Sequence, residues 1–333
     1  MRGFNLRSRK LPVMVFLIIV AVITPWFMPD AFTYILGLTC LFMILTVSWD
    51  LMVGYTGQVN LGHTVFVGIG AYTTALLQVP SRFQGTFLSP LAGMPEISIF
   101  ATIFLGGIAA GIVGFIIGVI TLRLRGWYFA LVTAVLPLVF IETTVIWREI
   151  FGGEEGFSVG LEKALAPAST GKYYIALIIM LISVAIMFTI VNSRIGLKFK
   201  AIRDDLDLAE AVGIDTVKYK VLAFVISSFF AGIAGAAIVH YRVTVSPDLY
   251  DVPLMLLIIL AAVIGGLGTI FGPLIGGLII YLTKYWWLKG AMATIAATGL
   301  PINDDIILYA ILVVIAILAP EGLWIKAKKL AKR

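Results

Sequence analysis

Charge is scarce in this chain. Only 13% of its 333 residues are charged and 61% are hydrophobic, with a mean hydropathy of +1.06. So little polar material excludes a water-soluble globule. Apolar runs of about 20 residues recur instead, and in lipid such runs must close their backbone hydrogen bonds as helices. Cysteine is almost missing. The lone Cys40 sits in an apolar run and excludes a disulfide framework or a cysteine-built metal cluster. Two histidines, His63 and His240, leave little for a metal site and have no cysteine or carboxylate partner in register, so both read as structural. No G-x-x-x-x-G-K-[ST] phosphate loop exists; Gly171-Lys172 is followed by Tyr173. The polypeptide therefore does not hydrolyse ATP by itself, and no hydrolase constellation marks it as an enzyme. The net charge of +6 comes from basic residues gathered in a few loops and both tails, which points to the positive-inside rule rather than to nucleic acid.

What is present is a series of spans in one domain, 1–333. The first runs from about Leu11 to Met28 behind Arg2, Arg7, Arg9 and Lys10, and without a clear cleavage site it reads as retained. The next is Phe32 to Val53, followed by a glycine-rich break, GYTGQVNLGH (54–63), and a third span ending near Val79. Ile97 to Leu122 carries Gly106, Ala110, Gly114 and Gly118 at four-residue spacing, which lets two helix backbones approach closely in lipid. Trp127 to Trp147 and Tyr173 to Asn192 follow, then Val221 to His240 with Ser228, Gly232 and Ala236 again four apart. Two shorter arms, Pro253 to Ile264 and Ile270 to Trp287, flank GGLGT (265–269), and a last span covers Ile306 to Ala319. With a cytoplasmic N-terminus, about ten crossings bring Arg123/Arg125, the polar insert 193–220 and the basic tail Lys326 to Arg333 to the inside. The same count places the 148–172 and 288–305 loops outside. The expectation is an all-α polytopic protein of the cytoplasmic membrane with both termini inside.

The insert itself reads SRIGLKFKAIRDDLDLAEAVGIDTVKYK. Asp204 to Val212 predicts a short helix with Asp204, Asp205 and Asp207 in its first turn and Gly213 as its stop. Its length, about 14 Å, is too short to cross a bilayer. Leu208, Ala211 and Val212 fall on one face, as in a linker lying on the membrane or a helix that docks another protein. In the spans, ionisable groups are few: Asp50 near the inner end of one and Glu142 in the outer third of another. Either makes a buried hydrogen bond or serves ion-coupled transport. Gln58, Asn60 and His63 in the first break, and Gly265, Gly266 and Gly268 in the second, mark a substrate path or close helix packing. The two breaks also form a weak repeat, Gly62, Gly68, Gly70 and Tyr72 against Gly272, Gly276, Gly277 and Tyr281, roughly 210 residues apart.

Five stretches in order carry a family resemblance: GYTGQVNLGHTVFVGIGAYTTALL (54–77), RLRGWYFALVT (123–133), residues 196–236 of the insert and the span behind it, IGGLGTIFGPLIGG (264–277) and APEGLW (319–324). With them the chain resembles the LivM-type permease subunits of ABC importers for branched-chain amino acids. The resemblance implies a fold similar to vitamin and ribose importer permeases. It also implies that Ala209-Glu210-Ala211 and Gly213, with Arg203, Asp204 and Leu208, form the loop that couples to a cytoplasmic ATPase. The partners it implies are a second, LivH-like permease, two ATPase subunits that bind the ATP, and a periplasmic or lipid-anchored binding protein; the chain itself needs no cofactor. Relatives of this kind also handle urea, short amides or aromatic acids, and an ion-coupled carrier is the reading from another class. FGGEEGFSVG (151–160) departs from the family pattern through Glu154 and Glu155.

Overall fold

The computed structural model describes residues 19–123 and 127–289. The first part of the Leu11 to Met28 span, Arg125, most of the 288–305 loop, the Ile306 to Ala319 span and the basic tail lie outside the described residues. Among the described residues the fold is carried by α1 Asp30–Thr56, α2 His63–Gln78, α3 Ile99–Thr121, α4 Trp127–Ile146 and α5 Ser169–Val191, then α6 Arg194–Asp204, α7 Leu206–Ala211, α8 Thr216–Arg242, α9 Val252–Gly265 and α10 Phe271–Leu282, with a single short turn of helix at Arg148–Phe151. A π-helical turn, Thr283–Leu288, prolongs α10. Two dipeptide strands, β1 Phe157–Ser158 and β2 Thr244–Val245, pair antiparallel with Phe157 opposite Val245. Among the described residues six helical stretches are long and apolar enough to cross a membrane: α1, α3, α4, α5, α8 and Pro247–Gly265, the last built on α9. The protein is a polytopic helical membrane protein.

The spans follow the apolar runs closely, but the insert differs from expectation. Asp204 to Val212 is not one helix. Asp204 ends α6, Asp205 is extended, and its carboxylate accepts the Leu208 N–H at 2.9 Å to start α7. An Asp that satisfies an orphan N–H competes with the helix running through it, so two adjacent aspartates break the rod where one would cap it. Gly213 does stop α7, with φ +84°, and its N–H reaches the Glu210 carbonyl at 2.9 Å.

α3 and α8 form the tightest seam, and their small-residue stripes face each other. A Cβ on Gly232 would lie 2.4 Å from the Ala110 methyl, and one on Gly114 would lie 2.5 Å from the Ser228 hydroxyl. The four-residue spacing read from both spans thus serves one contact. α2 joins the same seam, since Gly70 meets the Gly232 carbonyl. α9 and α10 make a tight hairpin in which a Cβ on Gly276 would strike the Ala261 carbonyl.

Two ends of the bundle can be told apart. At one, the C-terminus of α1, the α9–α10 turn, α6, α7 and the start of α8 converge; this is the insert end. At the far end, the Tyr241 hydroxyl donates to the Tyr34 carbonyl at 2.9 Å and Lys172 to the Tyr241 carbonyl at 3.1 Å. Phe32 and Trp286 meet there edge-on, with ring centroids 4.9 Å apart. His240 is held there on both ring nitrogens, by the Thr102 hydroxyl at 3.2 Å and the Lys163 carbonyl at 2.7 Å. Arg82 fastens the loop behind α4 by donating to the Ile150 carbonyl at 2.8 Å.

Candidate functional site

The site grows from the end of α1. Gly57 takes φ +72° and stops the helix, so the Gly54 carbonyl loses its intrahelical partner. Arg203, on the last turn of α6, replaces it: its Nη1 donates to the Gly54 oxygen at 2.8 Å. A guanidinium there also complements the negative end of the α1 dipole. The same Arg203 holds Asp204, through Nη2 at 2.9 Å.

The second glycine break closes on the same spot. The Gly268 N–H donates to the buried Asp50 carboxylate, at 2.9 Å to Oδ1 and 3.2 Å to Oδ2. Gly268 has φ +72°, and a Cβ on it would lie 2.7 Å from Arg203 Nη1 and 2.8 Å from the Gly54 oxygen. A side chain is excluded twice, by backbone angle and by space. One knot therefore joins α1, the α9–α10 turn and the polar insert.

The insert is bound to the bundle on its inner side and bare on its outer side. Phe199 and Ile202 of α6 and Ala209 of α7 are buried, whereas Leu208 and Val212 are 62% and 69% exposed. Ala211 is exposed beside them. Glu210 Oε1 accepts from the Thr216 hydroxyl at 2.7 Å, which ties α7 to the first turn of α8. Asp215 caps α8 by accepting the Lys218 N–H at 3.0 Å. The residues predicted to couple thus divide into anchors (Arg203, Asp204, Ala209, Glu210), an uncovered apolar edge (Leu208, Ala211) and a turn (Gly213).

The residues predicted for a path fall in two places. Gly265, Gly266 and Gly268 belong to the knot or its turn. Asn60 and His63 are buried between α1, α2 and α4, and Gln58 is half-buried at the break. Asn60 receives the Trp49 indole N–H on its carbonyl at 2.7 Å, and its Oδ1 accepts from the Gly62 N–H at 2.9 Å. Its Nδ2 is a buried donor without a partner among the described residues. His63 Nε2 and the Ser48 hydroxyl lie 3.0 Å apart, and Ser227 donates to the Ser48 carbonyl at 2.6 Å. Thr133, which accepts the Leu61 N–H at 3.1 Å, is a member of this cluster that the sequence did not single out; a hydroxyl within an apolar stretch of α4 was its only signal. Asp50 is held by Gly268, while Glu142 is exposed on α4. Glu149, Glu154, Glu155 and Glu162 are all exposed at the far end.

A polar insert anchored to breaks in membrane helices suits a membrane transport component. Residues 31–316 match the family described as branched-chain amino acid transport system, permease component, and the chain belongs to that family. It is 26% identical over 302 residues to the high-affinity branched-chain amino acid transport system permease protein LivM of Escherichia coli (strain K12), covering 81% of this chain and 67% of that protein. To LivM of Salmonella typhimurium it is 25% identical over 299 residues, covering 80% of this chain and 66% of that protein. LivH of E. coli K12 is 23% identical over 308 residues, covering 85% and 90% respectively. The chain thus spans about two thirds of the length of the LivM relatives it matches. No solved structure matches it.

Proposed function

We propose that this chain is a transmembrane subunit of an ABC importer that carries branched-chain or other hydrophobic amino acids inward, driven by ATP hydrolysis on partner subunits. The observation that carries the reading is Arg203, which joins the polar insert to both glycine breaks. The exposed edge of Leu208, Ala211 and Val212 docks an ATPase subunit. When ATP closes the ATPase pair, α6, α7 and the first turn of α8 move as one lever, because Lys198 donates to the Tyr219 hydroxyl and Glu210 accepts from Thr216. Arg203 passes that motion to the end of α1 and to the α9–α10 turn, which changes the side to which the region around Gln58 and Asn60 is open. Specificity rests mainly with a binding protein that docks at the far end, near the four exposed glutamates.

In this reading the insert end is cytoplasmic, the membrane is crossed about ten times and both termini lie inside. The helix directions support it: α1, α3, α5 and α9 run toward the insert end, and α2, α4, α8 and α10 run away from it. The second permease is a homologous chain of the LivH kind. The test is a gentle-detergent pull-down of the tagged chain from its native membranes, with mass spectrometry. Recovery of two ATPases and a second permease is the expected result. Recovery of the chain alone, active in liposomes without ATP, would overturn the reading in favour of a secondary carrier.

A further inference from the structure

At the far end, away from the knot, α1, α8, α9 and α10 enclose a partly open cavity of about 180 Å³. Pockets for drug-sized molecules start at roughly 300 Å³, so this one suits a much smaller ligand. Its lining is divided by chemistry. Arg242, Lys284, Asp248 and Asp251 contribute two cations and two carboxylates. Leu38, Phe42 and Leu45 line it along one face of α1, a descent of about 10 Å from the far end into the bundle. Phe42, Leu45 and Leu257 are fully buried, so the floor is apolar.

Arg242 and Asp251 keep hydrogen-bonding capacity toward the cavity. Arg242 Nη1 meets Asp248 Oδ2 at 2.8 Å, and the Ser246 hydroxyl donates to the other oxygen of Asp248. A guanidinium has five donors, so this pair leaves it able to bind a second carboxylate. Lys284 stands over the Tyr285 ring, with Nζ 5.6 Å from its centroid. Asp251 occupies the N-cap of α9 without capping it, and its carboxylate has no hydrogen-bond or ion-pair partner among the described residues. A purely anionic ligand would face Asp251 and a purely cationic one would face Lys284 and Arg242. A ligand with both charges on one carbon and an aliphatic tail satisfies rim and floor together.

We infer that this cavity is a binding site for a single zwitterionic α-amino acid with an aliphatic side chain. Arg242 receives the α-carboxylate, Asp251 with Asp248 receives the α-ammonium, and the side chain descends toward Phe42, Leu45 and Leu257. The site rests on the importer reading and adds to it a place, inside one permease chain, where substrate pauses after leaving the binding protein.

The test uses the full chain in lipid nanodiscs with radiolabelled leucine. Saturable binding is expected, with 3-methylbutylamine (no carboxylate) and 4-methylpentanoate (no ammonium) each competing at least about tenfold less well than leucine. Asp251→Asn and the rim-filling Leu254→Trp each weaken leucine binding by about tenfold while the elution profile stays that of the parent. Analogues that compete as well as leucine, or a Leu254→Trp chain that binds like the parent, would overturn the site. The assembled complex separates the two readings. Parental leucine uptake with both variants sinks the cavity and leaves the importer standing, whereas a parent complex that moves no amino acid sinks both.

Discussion

Arg203 Nη1 and the Gly54 carbonyl lie 2.8 Å apart across 149 residues of sequence, one on a polar insert and the other at the end of a buried membrane helix. Removing the guanidinium leaves a helix-terminal carbonyl without its donor. Arg203→Ala is expected to lower leucine uptake by roughly tenfold or more, the loss of one charge-assisted hydrogen bond, while ATPase activity of the complex persists. Arg203→Lys keeps the charge but not the planar fork, and falls between the two. Parallel assays of uptake and ATP hydrolysis in proteoliposomes check the separation.

Glu210→Lys breaks the bond to Thr216 that ties α7 to α8. The chain is expected to fold and reach the membrane, since Glu210 is exposed, but uptake is lost. Full transport by this variant would remove the lever from the mechanism.

The exposed edge makes a prediction about partners. Leu208→Glu combined with Val212→Glu replaces two apolar contacts by charges at positions the chain itself leaves uncovered. Affinity for the ATPase subunits is expected to fall by about a hundredfold or more, with the thermal transition of the chain unchanged. Unchanged recovery of ATPases in the pull-down would move the docking surface elsewhere.

Asp50 separates an ATP-driven importer from an ion-coupled carrier. Asp50→Asn retains an oxygen to accept the Gly268 N–H, so uptake is expected within about twofold of the parent. Asp50→Leu leaves that half-buried N–H without its acceptor, and is expected to cost about 1–3 kcal/mol of stability. Abolished uptake in a stable Asp50→Asn chain would point to proton coupling.

Gly232 tests the α3–α8 seam. Gly232→Ile drives a branched side chain into the Ala110 methyl and the Gly106 carbonyl, and is expected to cost about 1–3 kcal/mol or more, seen as a lower Tm in detergent.

Much of the fold was legible because a membrane span announces itself by the length of an apolar run. α1, α3, α4 and α5 begin and end within a few residues of where hydropathy alone puts them. The uncovered edge of Leu208, Ala211 and Val212 was legible too, because helical spacing holds in a short helix. α6 was hidden by its charge. Arg194, Lys198, Lys200 and Arg203 read as a loop, although Gly196, Phe199 and Ile202 at three-residue spacing carry its buried face. The knot could not be read, since hydropathy fixes how many spans there are and not which of them are neighbours. The sequence pointed to Asp50 and to Gly268 separately. The far-end cavity was missed for a related reason: its charges come from three segments that look like ordinary loop and helix-end residues.

The Asp50–Gly268 bond spans 218 residues, and this sets an order on how the protein is made. Chains grow at about 5–20 residues per second, so Asp50 enters the bilayer on the order of ten to forty seconds before its donor has been synthesised. During that interval a carboxylate destined for burial must be sheltered by water, by the insertion machinery or by an early contact within α1. The break that completes the site is also the step that lets the first helices settle, and a ribosome pausing upstream of codon 268 would leave them waiting.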